Sequence, residues 1–198
     1  MTRSIRDTSS LLGSRVCHDL ISPLGAISNG LELLAMSGMN ESPELKLIEE
    51  SIQNANARVR YFRVAFGVAS GTQMMARTEV LSLLEGVYSG GRLVVRWDSP
   101  NDPTRTEVKI GFLAIMCAEA ALPMGGEISI SSERGSWQIR AYGKKIKFDT
   151  EYWGILNAPI SEDIPSSKVQ FLLLADALTQ AGITPQVGHS DSAVSLRY

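Results

Sequence analysis

Two histidines occur in the 198 residues, His18 and His189. Near pH 7 a neutral imidazole keeps a lone pair on one ring nitrogen while the other can be held by a hydrogen bond, which makes it a competent phosphoryl acceptor. Asp19 follows His18 directly, a carboxylate that could favour the productive tautomer or balance charge on the ring, although adjacency in a helix does not by itself set two side chains face to face. At helical spacings from His18 stand Ser14 and Arg15 on one side and Ser22, Gly25, Ala26 and Asn29 on the other. Almost all are small, so another protein's concave active site could come down onto the ring unobstructed. Gly25 costs roughly 1 kcal/mol against alanine in a helix interior, and Pro23 removes a backbone hydrogen bond and bends the helix. Two such penalties beside one histidine indicate that shape has been favoured over helix stability. A solvated surface histidine next to an exposed aspartate is the bland alternative, and the small face with its Pro-Gly pair weighs against it. His189, within Val187-Gly-His-Ser-Asp191, has no partner pattern and reads as a loop residue.

The element that must carry His18 is a long helix from about Thr8 to Ser37, because Leu12, Val16, Leu20, Leu24, Ile27, Leu31 and Leu34 recur at steps of four or three. Gly38 and Asn40 supply a stop, Ser42 can cap a second helix, and Pro43 suits its first position. That helix runs from about Glu44 to Val68 with a stripe of Ile48, Ile52, Ala55, Val59, Phe62 and Phe66, a regularity suited to bundle packing. Two antiparallel helices cannot enclose an apolar seam. The hairpin is therefore expected to complete a four-helix bundle with a second copy of itself, the alternative being packing on its own C-terminal half. After Gly71 strands and helices interleave: a helix at about Val80 to Tyr88, a strand at Leu93 to Trp97, a helix at Val108 to Leu122, strands at Glu127 to Ser132 and Trp137 to Tyr142 around the turn Glu133-Arg-Gly-Ser136, a helix at Ser167 to Ala181 and a closing strand at Ser192 to Arg197. The fold class is α plus α/β, with residues 1–70 a helical hairpin forming a dimeric bundle and residues 71–198 an α/β sandwich with helices on one face of a sheet.

Composition narrows the functional classes. With 19 basic and 21 acidic residues the formal net charge is −2, which gives no electrostatic reason to expect nucleic acid or an anionic membrane surface. Cys17 and Cys117 sit in helical apolar contexts, so no disulfide scaffold is being built. No stretch reaches the roughly 18 apolar residues of a membrane span, and no apolar run follows the N-terminal charges. A cytoplasmic, protein-facing role is the expectation.

The run His18-Asp19-Leu20-Ile21-Ser22-Pro23-Leu24 resembles the H-box of sensor histidine kinases, His-(Glu/Asp)-Leu-x-x-Pro-Leu, at the head of a hairpin like their dimerisation and phosphotransfer domain. The longer run from Cys17 to Leu34 is more similar still to the alphaproteobacterial ChpT-type histidine phosphotransferases. In that family the hairpin precedes a domain shaped like the kinase ATPase domain but unable to bind nucleotide, so the resemblance covers the whole chain. Laid on the kinase pattern Asn-x-x-x-Asn-Ala before Gly125-Gly126, the second helix of the second half puts Leu113 and Cys117 where Mg²⁺ would require oxygen ligands. The pattern Asp-x-Gly-x-Gly falls on Ala141-Tyr-Gly143-Lys-Lys145, and Gly-x-Gly-x-Gly-Leu falls on Ser166-Ser-Lys168-Val-Gln170-Phe171, without the glycines that close backbone amides on a triphosphate.

The resemblance implies a relay: a receiver phospho-aspartate donates to His18, assisted by Asp19, and His18 donates to another receiver. It implies no cofactor of the chain's own and no ATP, with Mg²⁺ supplied by the receiver. Implied partners are a CckA-like hybrid kinase upstream and CtrA-like and CpdR-like response regulators downstream. Arg15, Ser22, Gly25, Ala26 and Asn29 on the His18 face are expected to dock the receiver. Arg58 and Arg63, off the stripe of the second helix, could meet an acidic receiver rim or be ordinary solvated surface. Three alternatives stand beside the relay: a non-catalytic dimeric scaffold binding response regulators, an active kinase with an unusual ATP site, and, least favoured, a metal site from Cys17, His18 and Asp19, whose consecutive helical positions diverge.

Overall fold

A computed structural model describes residues 5–36, 42–133, 135–158 and 164–198, with the side chains of residues 5–11 and 14 also outside the description. The expected turn residues Gly38 and Asn40, the Arg134 position of the hairpin turn and the Ser14 side chain therefore lie outside the described residues. The chain divides into two compact units, residues 1–68 with 82–87, and residues 69–81 with 88–198.

The first unit is the hairpin of α1 (Ile5–Met36) and α2 (Pro43–Ala65), joined by residues 82–87 of α3 (Arg77–Tyr88). Those α3 residues fall in the stretch expected to belong to the α/β half. They join the helical unit because Gly86 lets the helix approach Ala57 of α2, to which a Cβ at residue 86 would lie 3.1 Å away. Helix α2 begins as its sequence dictates, with the Ser42 hydroxyl accepting from the Leu45 amide at 3.4 Å and Pro43 at the first position. Helix α1 continues through Pro23, which leaves the Asp19 carbonyl without its intrahelical donor. At the other end Gly13 draws the two helices together: a Cβ there would meet the Phe66 Cβ at 3.0 Å. Val59, Tyr61, Val64 and Ala65 are buried, whereas Leu12, Val16, Leu20, Ile27 and Leu34 of α1 and Ile48 of α2 remain exposed along the apolar stripe.

The second unit is one five-stranded sheet of order β1-β2-β3-β5-β4 with helices on one face. β1 (Leu93–Asp98) and β2 (Gly126–Glu133) are parallel, which requires the crossover through α4 (Arg105–Ala120). β3 (Ser136–Tyr142), β5 (Ala193–Arg197) and β4 (Gln186–His189) continue antiparallel. Leu93, Trp97, Ile128, Ile130, Trp137, Ile139, Ala141, Val194 and Leu196 turn inward beneath α4 and α6 (Val169–Gln180), which pack on each other. A short helix, α5 (Thr150–Gly154), starts on the Asp149 carboxylate, which accepts from the Glu151 and Tyr152 amides.

Two expectations are corrected. His189 is not a loop residue: it ends β4, and its ring stacks on Phe148 with centroids 3.9 Å apart. A four-residue strand containing glycine carries too little alternation to be seen in sequence, and pairing with β5 creates it. Helix α4 starts at Arg105 rather than Val108 because Thr104 and Glu107 form a capping box, each side chain bonding the other's backbone amide. Among the described residues no helix is long and apolar enough to cross a membrane.

Candidate functional site

His18 projects from α1 with its side chain 78% exposed, while the preceding Cys17 turns into the core of the unit. The two therefore diverge, as consecutive helical residues must. Burial pushes the Cys17 thiol up, partly offset by the positive charge of Arg63, so Cys17 is an inert packing residue.

Asp19 stands closer to the imidazole than adjacency alone required. Its Oδ1 lies 3.2 Å from His18 Nδ1, and its Oδ2 accepts a hydrogen bond from Arg15 Nε at 2.8 Å. The bond from His18, then that from Arg15, holds the Asp19 carboxyl below its ordinary range. A carboxylate only accepts, so the neutral ring must carry its proton on Nδ1. The Nε2 lone pair is left pointing away from the pair. This is the geometry of an oriented nucleophile, built from three residues of one helical turn and a half.

Around the ring the face is low. Ser22, Ala26 and Asn29 are exposed, and among the described residues nothing beyond the helix's own backbone and the adjacent residues lies within 4 Å of a Cβ built at Gly25. Arg58 is exposed on α2 and donates through Nε to Asn54 Oδ1 at 2.9 Å. Arg58 and Arg63 are five residues apart, so they leave α2 about 140° from one another and cannot share one patch. Arg63 is the one whose charge reaches Cys17, the neighbour of His18. Two members of the face were missed: Leu33 and Met36, 66% and 84% exposed. They lie fifteen and eighteen residues after His18, which returns to the same side of the helix. Continuing the helical spacing past Asn29 would have found them.

In the second unit, Leu113 and Cys117 are completely buried within α4 and Ala141 within β3. Burial pushes the Cys117 thiol well up, and none of the three offers an oxygen ligand. Gln170 is buried, and Lys168 lies over the Tyr152 ring at 5.4 Å. Gly125 and Gly126 serve the sheet: both have positive φ, and the Gly126 amide donates to the Arg92 carbonyl at 3.1 Å where β2 joins β1.

Residues 77–193 match the family described as histidine phosphotransferase C-terminal domain. The chain belongs to that family. The protein phosphotransferase ChpT of Brucella abortus (strain 2308) is 33% identical over 135 residues, which are 67% of this chain and 64% of the Brucella protein, just under two thirds of its length. A bacterial phosphotransferase solved at 1.7 Å resolution superposes over all of this chain and 98% of its own, with a TM-score of 0.72 and 26% identity. A histidine kinase from Burkholderia phymatum STM815 gives a looser likeness, covering 98% of this chain and 94% of its own at 14% identity and a TM-score of 0.39. The resemblance to histidine phosphotransferases and the helical-plus-α/β architecture expected from the sequence are both confirmed.

Proposed function

We propose that this histidine phosphotransferase family member relays a phosphoryl group between receiver-domain aspartates through His18, as a cytoplasmic homodimer and without ATP. The observation that carries the proposal is an exposed imidazole whose Nδ1 is held by Asp19 while Nε2 opens onto a face of small side chains. In the first transfer the Nε2 lone pair attacks phosphorus in line, the nitrogen–phosphorus bond forms, and the bond to the donor's aspartyl oxygen breaks, returning a carboxylate. The ring then carries positive charge, which the Asp19 carboxylate balances while the Nδ1 proton stays in place. The second transfer is the same step in reverse onto another receiver. Catalysis of this kind rests on positioning and charge stabilisation, so the receiver's own aspartate and Mg²⁺ complete the site, and the chain needs no metal. Ser22, Gly25, Ala26 and Asn29 form the landing surface, extended by Leu33 and Met36. A CckA-like hybrid kinase and CtrA-like and CpdR-like regulators are the partners that family resemblance suggests.

The homodimer reading rests on the apolar stripe of α1, which a single hairpin leaves in water. A second copy would complete a four-helix bundle and place the two His18 residues on outer faces. The experiment is direct: mix the protein with a phosphorylated receiver and Mg²⁺, and follow acid-labile phosphate on wild type and His18→Ala. Transfer to wild type alone is the expected result. Transfer that survives the substitution would sink the relay through His18, and none to wild type from a panel of receivers would sink it in favour of a non-catalytic scaffold.

A further inference from the structure

Among the described helical neighbours of His18, Arg15 and the half-buried Ile21 are large, and the rest of the face is kept low by Ser22, Gly25, Ala26 and Asn29. Rather than reaching along that face, Arg15 donates through Nε to Asp19 Oδ2, the oxygen of the carboxylate not used by His18. The two bonds make a chain of Arg15, Asp19 and His18, with the carboxylate tethered at both oxygens. Asp19 is 49% exposed and, with one tether only, would be free to rotate towards water. The pair also runs from Arg to Asp in the N-to-C direction, the order that gains less from the helix dipole, so the helix itself draws little from it.

We infer that Arg15 is a positioning residue for the phosphoacceptor: by holding Asp19 Oδ2 it fixes Oδ1 against His18 Nδ1, which keeps the proton there and the lone pair on Nε2. The inference rests on the relay reading for its purpose, although the tautomer it specifies is a property of the free chain. It differs from a docking role, in which the Arg15 charge would act on an incoming receiver. Hydrogen-bond donation is what matters, so a glutamine at this position, able to bond an aspartate four residues on, replaces the arginine in this role.

The test is nitrogen NMR of the His18 ring in the full chain labelled with ¹⁵N-histidine, at a pH where the ring is neutral, with His189 as internal control. Wild type should show Nδ1 chiefly protonated. Asp19→Asn sets the scale for losing the carboxylate. Arg15→Ala should move the tautomer ratio towards Nε2–H about twofold, the size expected of one exposed contact, and Arg15→Gln should restore most of it. An Arg15→Ala ratio equal to wild type, or an Arg15→Gln ratio equal to that of Arg15→Ala, overturns the inference. In the transfer assay Arg15→Ala should lower the saturating rate with the half-saturating receiver concentration unchanged, and the opposite split would assign Arg15 to docking. Because the NMR readout involves no partner, failure of the relay and failure of the positioning role are told apart.

Discussion

Truncating the α1 stripe to alanine tests the assembly on which the hairpin depends. Leu20 and Ile27 are 45% and 47% exposed in the single chain. Full burial of such a side chain contributes about 1.5–3 kcal/mol, so covering the exposed half of each contributes about 1 kcal/mol. In a two-fold dimer every substitution occurs twice. Leu20→Ala should therefore weaken association by about 2 kcal/mol, roughly thirtyfold in Kd. Leu20 and Ile27 are two helical turns apart, so their effects should add to about 4 kcal/mol, or roughly a thousandfold. The buried half of each residue also stabilises the protomer, so association must be read by sedimentation equilibrium over a concentration series and not by melting. Leu33→Ala is the control, because Leu33 is more exposed than either but stands on the His18 face. The reasoning fails if the double variant associates as tightly as wild type, or if Leu33→Ala weakens association as much as Leu20→Ala.

Two further predictions concern the second unit, and urea denaturation checks both. Glu107 accepts from the Thr104 amide at 2.7 Å, the Thr104 hydroxyl at 2.8 Å and the buried Trp137 indole at 3.1 Å. Glu107→Ala should destabilise by about 2–4 kcal/mol through the lost cap and the stranded indole donor, with Glu107→Gln recovering part of it. At Gly125, φ is +82° and a Cβ would lie 2.2 Å from the Arg92 carbonyl oxygen. Gly125→Ala should therefore cost more than about 2 kcal/mol, against about 1 kcal/mol at Gly135, where φ is also +82° but the space is open.

The long helices were legible because seven apolar residues in the first and six in the second, at steps of four or three, admit one period only, and Ser42-Pro43 marked the second start. The sheet was legible strand by strand except for β4, whose Gln186-Val-Gly-His189 takes its conformation from β5. The α4 cap could have been read from Thr104 and Glu107, since a hydroxyl followed three residues later by a carboxylate ahead of an apolar run is a sequence-level signal. At the site, residue types and spacing singled out His18 and its low face. They did not place Asp19 against Nδ1, because that contact depends on rotamers and on the second tether from Arg15, which no pattern of spacing encodes.

The glycines of α1 show how structure separates demands that sequence presents alike. Gly13 and Gly25 both stand inside the same helix, and each weakens it by roughly 1 kcal/mol relative to alanine. Gly13 has an internal reason, since Phe66 occupies the place a side chain would take. Gly25 and Gly30 have none among the described residues: a Cβ at either meets nothing within 4 Å beyond the helix's own backbone and the adjacent residues. An unfavourable residue with no internal contact to explain it implies a constraint from outside the chain. Gly25 lies two turns from His18, on the face that also carries Ser22, Ala26 and Asn29. An approaching protein that must bring an aspartate within bonding distance of Nε2 is the constraint that fits its position, and the same requirement accounts for Arg15 lying folded onto Asp19 rather than standing up from that face.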